Sequence, residues 1–328
     1  MSSATLKSRS NNLGYHLVAF VTVAIWGSTF VFTKMLLQSG LTPAQIFTLR
    51  FTIAYVLLLG FSVLRGKVSS SPPKLGGARG GLNKRPFRLL SASWRDELLM
   101  VLLGITGGSV YFLAENAAML FTTATNTSLI VCSCPLFAML LFAIVYRHSE
   151  HISKLQAMGS IVACMGMAIV VLNGHFVLHL SPLGDMLAFA ACLCWAVYSL
   201  LIKAAAERYS SLFITRKVFI YGLLTIIPYY ILRPSEVSLF THNYSLFTLP
   251  VILNLLFLGV IASMVCYLLW NWVISKLGAV VATNWVYFNP ITTICFAWWL
   301  LDEKITIWFL LGSALILIGM YLADKRKN

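Results

Sequence analysis

Three ionisable side chains stand inside otherwise apolar stretches: Lys34 in VAIWGSTFVFTKMLL, Arg50 in QIFTLRFTIAYVL and Glu115 in YFLAENAAML. A charge at the centre of a bilayer costs about 2.5–3.5 kcal/mol on insertion scales, so each needs a partner, water or an interface. At 1.5 Å per helical residue, Arg50 lies roughly 9 Å into its stretch and Glu115 roughly 6–8 Å from the end of its own. Lys34 lies close to a stretch end. The three charges therefore share one layer, and Glu115 is expected to pair with Arg50 or Lys34. Two roles remain open for that pair. It is a structural staple between helices, or Glu115 is a carboxylate that carries a coupling proton or meets a cationic group on a substrate. Lys34 has its own alternatives, an anchor that snorkels to the interface or a charge at the mouth of a pathway.

Polar and aromatic residues extend this set. Asn116 and Asn271 offer amides with both donors and acceptors, which suits either a cavity wall or an interhelical hydrogen bond. Asn126 and Asn284 add further amides. Trp26, Tyr111, Trp195, Tyr267, Trp270 and Trp285 are candidate cavity walls that stack on a substrate or contact a cation, or else pack. Pro135 and Pro290 remove backbone donors and are candidate hinges.

The elements that must position these residues follow from composition. The chain of 328 residues is 59% hydrophobic and 10% charged, with mean hydropathy +0.85. A water-soluble domain is nearer half apolar and a quarter charged. The chain is therefore expected to be an all-α integral membrane protein. Apolar windows of about 20 residues predict ten spans, near 17–37, 44–64, 97–119, 123–146, 153–172, 184–205, 211–232, 249–274, 279–300 and 305–323. The first is read as a retained span rather than a signal peptide, because no small-residue cleavage site follows it. Residues 1–16 are expected to form a cytoplasmic tail and residues 65–96 a basic cytoplasmic loop. With the N-terminus inside, the basic residues fall almost wholly on the cytoplasmic side, as the positive-inside rule requires, and an even span count returns the C-terminus to the same side. The net charge of +14 is thereby accounted for by topology and needs no nucleic-acid partner. The bilayer itself is the partner that composition implies.

The chain also repeats itself. Trp26 and Lys34 recur as Trp195 and Lys203. Gly104, Asn116 and Pro135 recur as Gly259, Asn271 and Pro290 at one constant separation. Glu150, Gly159 and Gly166 recur as Glu303, Gly312 and Gly319. Arg50 falls opposite Lys217 with a two-residue shift. Two repeats follow, residues 17–178 and 179–328, each with five predicted spans. Copies of an odd-numbered unit must face opposite ways, so the expectation is an inverted-topology repeat with a site near the midplane, as in many secondary transporters.

WGSTFVFTK followed by LTPAQIFTLRF resembles the opening helix pair of EamA-type members of the drug/metabolite transporter superfamily. YFLAENAAML with TSLIVCSCPLFAMLL resembles their third and fourth helices, and the Glu150 and Glu303 patterns resemble the ends of their two repeats. The resemblance implies a ten-helix metabolite carrier in a cytoplasmic membrane, a bacterial inner membrane, with a central cavity.

Other classes find little support. The seven cysteines all lie in apolar runs, and no histidine pair has metal-ligand spacing inside a helix, so no metal or other cofactor is expected. A phosphate-binding GxxxxGK[ST] is absent from the sequence. The chain reads as a secondary transporter, more an exporter than an importer, of small metabolites such as amino acids. A proton is the candidate coupling ion, and the oligomeric state is left open. A lipid flippase is the alternative within transport, and an integral-membrane enzyme or sensor the alternative outside it.

Overall fold

The computed structural model describes residues 3–68, 90–122, 124–145, 153–172, 181–237, 246–301 and 307–324. These are helical apart from short turns, with no strand among the described residues. In chain order the rods are α1 (Ser3–Gln38), α2 (Pro43–Val68) and α3 (Trp94–Phe121); α4, in two pieces (Ala124–Val131 and Cys134–Val145); then α5 (Lys154–Leu172), α6 (Pro182–Ala206), α7 (Ser211–Leu232) and α8 (Leu249–Leu277). After these come α9, in three pieces (Ala279–Asn284, a 3-10 turn Trp285–Phe288, and Asn289–Leu301), and α10 (Ile307–Asp324). Six helices are long and apolar enough to cross a membrane among the described residues: α2 as Pro43–Leu64, α1 from Leu13, and α3, α6, α7 and α8.

Local chemistry accounts for the helix starts. Thr42 and Gln45 form a reciprocal capping box ahead of α2. The Thr42 N–H donates to Gln45 Oε1 at 2.9 Å and the Gln45 N–H to Thr42 Oγ1 at 3.3 Å. Ser153 and Gln156 repeat this before α5 at 3.0 and 3.1 Å. Such boxes satisfy two orphan N–H groups at once. Ser93 caps α3, with Asp96 and Glu97 in its first turn, where carboxylates complement the helix dipole.

The polar segment 1–16 is helical from Ser3 and continues into α1. Uninterrupted spans of about 20 residues were expected throughout, yet α4 and α9 are broken. The break at 132–133 immediately precedes Pro135, and the 3-10 turn 285–288 precedes Pro290. A proline ring clashes with the carbonyl four residues earlier and removes a donor, so both interruptions lie where the ring demands them. The stretch 69–89 of the expected basic loop lies outside the described residues.

Glycines set the closest approaches. A Cβ at Gly259 of α8 would lie 2.9 Å from Ile53 Cβ and 3.2 Å from the Arg50 carbonyl oxygen on α2. Its repeat mate Gly104 of α3 would meet α7 in the same way, 2.5 Å from Tyr221 Cβ and 2.9 Å from the Gly222 nitrogen. Ile53 therefore stands opposite Tyr221, and the helix caps Thr42 and Ser210 have the same separation. This register corrects the Arg50/Lys217 match by one residue: Arg50 is equivalent to Val218, and a one-residue shift turns the side chain by roughly 100° around the helix. The antiparallel pair α5 and α10 is as close. A Cβ at Gly159 would lie 2.6 Å from the Gly319 carbonyl oxygen, and one at Gly166 2.7 Å from that of Gly312.

Gly166→Ala is expected to overpack this crossing and destabilise the protein by about 1–3 kcal/mol. Gly60→Ala, where nothing lies within 4 Å, should leave stability unchanged. Thermal unfolding of both variants in detergent checks this.

Candidate functional site

A hollow lies at the centre of the bundle, bounded by α1, α2, α3, α4, α6, α8 and α9. The room in which a water centre fits is about 40 Å³, enough for about three waters at 10–15 Å³ each. Among its walls are the aromatic rings of Trp26, Tyr111, Trp195 and Tyr267 and the two charged residues Arg50 and Glu115.

Every one of those six was expected from sequence, and the structure brings them together. Trp26 and Trp195 meet edge to face with centroids 5.3 Å apart, and Tyr111 lies 5.1 Å from Trp195. Arg50 is 2% exposed. Its Nε donates to Ser263 Oγ at 2.9 Å, and its guanidinium carbon sits 4.3 Å from the centre of the Phe112 ring. Glu115 accepts from the Tyr111 hydroxyl at 2.8 Å through Oε1. Residues 111 and 115 are one turn apart on α3, so this bond is built into the helix.

The expected ion pair is corrected. The ion pairs among the described residues are Arg208–Asp96 and Lys217–Glu97, and neither Arg50 nor Lys34 touches Glu115. Arg50 and Glu115 face the same hollow without contact. Lys34 lies away from it and donates to the Met119 carbonyl at 2.9 Å, closing the end of α3 against α1.

Two π-helical segments shape the walls, Ile105–Ser109 in α3 and Phe257–Val265 in α8. Such bulges are frequent at functional sites because they free carbonyls from the regular ladder. Here the Tyr267 hydroxyl donates to the Gly107 carbonyl at 2.5 Å, and Trp26 Nε1 to the Ala262 carbonyl at 2.9 Å. The two carbonyls are repeat equivalents, with the same separation as Gly104 and Gly259.

Other expected residues fall outside the walls. Asn116 Nδ2 donates to the Pro43 carbonyl at 3.2 Å. Asn271 accepts from the Tyr198 hydroxyl at 2.7 Å and donates to Thr215 Oγ1 at 2.8 Å. Both amides thus join helices, α3 to α2 and α8 to α7, one turn beyond Phe112 and Tyr267. Trp270 is fully buried behind Trp26. Asn284 accepts from Ser160 at 3.1 Å, and Trp285 donates to His16 at 3.2 Å. The side chain of Asn126 lies outside the described residues. Pro135 and Pro290 border the hollow through their neighbours Cys134 and Asn289.

Sequence reasoning missed two polar clusters that tie the halves of the chain together at opposite ends. At the start of α3, Glu97 accepts from Lys217, Tyr221 and the Ser91 N–H. Beside it Asp96 accepts from Arg208 at 2.6 Å and from Tyr209 at 2.9 Å. At the other end Glu236 accepts from Thr42 at 2.6 Å and Tyr229 at 2.8 Å, while its carbonyl accepts from Gln45 at 2.9 Å. The signal was faint, since Asp96 and Glu97 border a basic loop and Glu236 follows a predicted span end.

Asn271→Leu leaves Tyr198 and Thr215 without their partner. It is expected to cost about 0.6–2 kcal/mol in thermal unfolding while leaving the Michaelis constant for transport unchanged, because the amide does not face the hollow.

Comparison with known proteins agrees with this arrangement. A crystal structure of another protein superposes with TM-score 0.66 at 18% identity, covering 94% of this chain and 96% of that one, which establishes a shared fold. The chain is 24% identical to an "uncharacterized transporter" of Archaeoglobus fulgidus over 95% of this chain and 98% of that protein. It is 24% identical to a "probable terminal-alkyne amino-acid exporter" of Streptantibioticus cattleyicolor, covering 93% and 92% of the two chains. It is 25% identical to a "probable amino-acid metabolite efflux pump" of Escherichia coli, over 93% of each. Residues 13–172 and 182–323 match the EamA-like transporter family, so with both stretches of the chain accounted for, this membrane protein belongs to that family of transporters.

Proposed function

We propose that this chain is a secondary transporter that exports small metabolites such as amino acids by alternating access between two inverted five-helix repeats. The observation that carries the reading is the hollow itself, a charged and aromatic chamber at the meeting of the two halves. With room for about three waters, it corresponds to an occluded form that must open to pass a metabolite.

Several features support the inverted arrangement. The family match falls in two stretches of similar length. Gly259 brings α8 onto α2, and its mate Gly104 brings α3 onto α7. In the α5–α10 crossing, Gly159 faces Gly319 and Gly166 faces Gly312. Exchanging the repeats turns the first pair into the second, as a two-fold axis lying in the membrane plane would. On this reading the rods α1–α10 are ten spans, with both termini in the cytoplasm, where the basic residues gather.

The two polar clusters act as latches. The Glu97 cluster closes the cytoplasmic mouth and the Glu236 cluster the outer one, and each joins a first-half residue to a second-half residue. Pro135 and Pro290, beside the helix breaks, serve as hinges. The exporters and efflux pumps among the relatives favour amino acids and their derivatives as cargo. Glu115, a carboxylate on the hollow, is the residue through which a proton would couple.

Reconstitution into proteoliposomes with a panel of labelled amino acids, with and without a pH gradient, tests the reading. Saturable flux is expected, and its absence for the whole panel would refute amino-acid transport. Glu115→Gln should abolish any dependence of flux on the pH gradient. The latches predict a directional effect on Cys134, which lines the hollow. Glu97→Gln should speed its alkylation by an impermeant reagent added on the cytoplasmic side, and Glu236→Gln the same from outside, as read by mass spectrometry of the labelled peptide.

A further inference from the structure

The two halves do not treat their tryptophans alike. Trp26 and Trp195 are repeat equivalents, as are the π-segment carbonyls of Gly107 and Ala262. Trp26 Nε1 donates to the Ala262 carbonyl. By the same rule Trp195 would donate to Gly107, but the Tyr267 hydroxyl already occupies that carbonyl. Phe112, the equivalent of Tyr267, has no hydroxyl with which to compete on the other side. Trp195 lines the hollow, and its Nε1 is buried with no hydrogen-bond partner. Asn289 Oδ1, on the same wall, is also without one. A buried donor left unmade costs about 1–3 kcal/mol, which is tolerable where an occupant of the hollow can supply the acceptor.

Arg50 breaks the symmetry in the same place. Its equivalent is Val218, an apolar side chain buried in the core, so only one half sends a cation to the hollow. Ser263 is the sole protein acceptor for the Arg50 guanidinium among the described residues, and it takes only Nε. The face of Phe112 backs the guanidinium plane. Its fork is thus fixed in direction with its outer N–H groups unspent, the geometry that receives a carboxylate through two parallel bonds. Glu115 is held by Tyr111 through one oxygen, leaving the other for a donor.

Resting on the reading of the hollow as the transport chamber, we infer that Arg50 and Trp195 Nε1 receive the substrate carboxylate while Glu115 receives its ammonium group. The site thereby selects molecules that carry both charges on neighbouring carbons. The aromatic rings around Glu115 flank the ammonium and exclude a larger polar head. Neither an uncharged amide nor an N-acylated acid satisfies both ends.

Flux into proteoliposomes is measured for each proteinogenic amino acid, its carboxamide and its N-acetyl derivative, alongside binding to the detergent-purified protein by thermal shift. The wild type is expected to prefer the free amino acid at least about tenfold over either derivative, the discrimination of one lost charged hydrogen bond. Trp195→Phe, which keeps an aromatic face and removes the pyrrole half of the indole together with its Nε1 donor, should raise KM severalfold with kcat unchanged. Arg50→Gln should lose preference against the carboxamide and keep it against the N-acetyl compound, and Glu115→Gln should do the reverse. Equal handling of all three compounds by the wild type overturns the inference with transport intact, and so does an unchanged KM in Trp195→Phe. Saturable amino-acid binding without flux, weakened in Trp195→Phe, leaves this site standing and removes the transport reading instead. Neither flux nor binding for any compound overturns both.

Discussion

A guanidinium inside an apolar bundle has to be held, and the burial of Arg50 constrains everything around it. Stripping such an ion of water costs several kcal/mol unless polar groups replace the lost hydration. Here the polar and aromatic surroundings are a hydroxyl on the π segment of α8, an aromatic face on α3 and a hollow with room for water. The first depends on α8 lying close against α2, where a Cβ at 259 would lie 2.9 Å from Ile53 Cβ. Replace that glycine and Ser263 withdraws from Arg50. The charge, the bulge and the glycine form one unit, and the chamber exists because that unit needs it.

The same logic explains why helix regularity fails where it does. A regular α3 or α8 would spend the carbonyls of Gly107 and Ala262 within its own ladder. The π turns release them to Tyr267 and Trp26 across the helix interface. Hydrogen bonds between spans average only about 0.6 kcal/mol, so no single bond holds the bundle. Close glycine contacts, which give dense packing without a hydrophobic drive in lipid, do more, and the α5–α10 crossing is the densest of these.

Much of the site was legible in the sequence, because the repeat singled out Trp26 and Trp195 and the apolar setting exposed Arg50 and Glu115. What could not be read was depth. Asn116 and Asn271 recur as faithfully as the tryptophans, yet they lie a turn beyond the chamber, level with the first turns of α2 and α7, where they tie helices together. The error at Lys34 has another cause, since a backbone carbonyl at the end of α3 offers an acceptor that residue types do not announce. The two polar clusters were hidden because they are built from charges at predicted span ends, where any charge looks like an interfacial one. The match of Arg50 to Lys217 failed because residue chemistry was weighed over register, and the glycine contacts restore the register.

The two family-matched stretches of the chain remain alike at some positions and have diverged at others. Gly104 with Gly259, Pro135 with Pro290 and the two π segments remain alike. Other pairs have diverged. Tyr267 donates to the Gly107 carbonyl where Phe112 has no hydroxyl to offer, and Arg50 stands where the other half has Val218. A symmetric pair of arginines would place two cations on one small hollow, at a mutual cost that a single Glu115 could not offset in a low dielectric. One arginine, one carboxylate and one spare indole donor avoid that repulsion and give the chamber a polarity. A chamber with polarity can hold a polar molecule in one orientation while the walls exchange shapes around it.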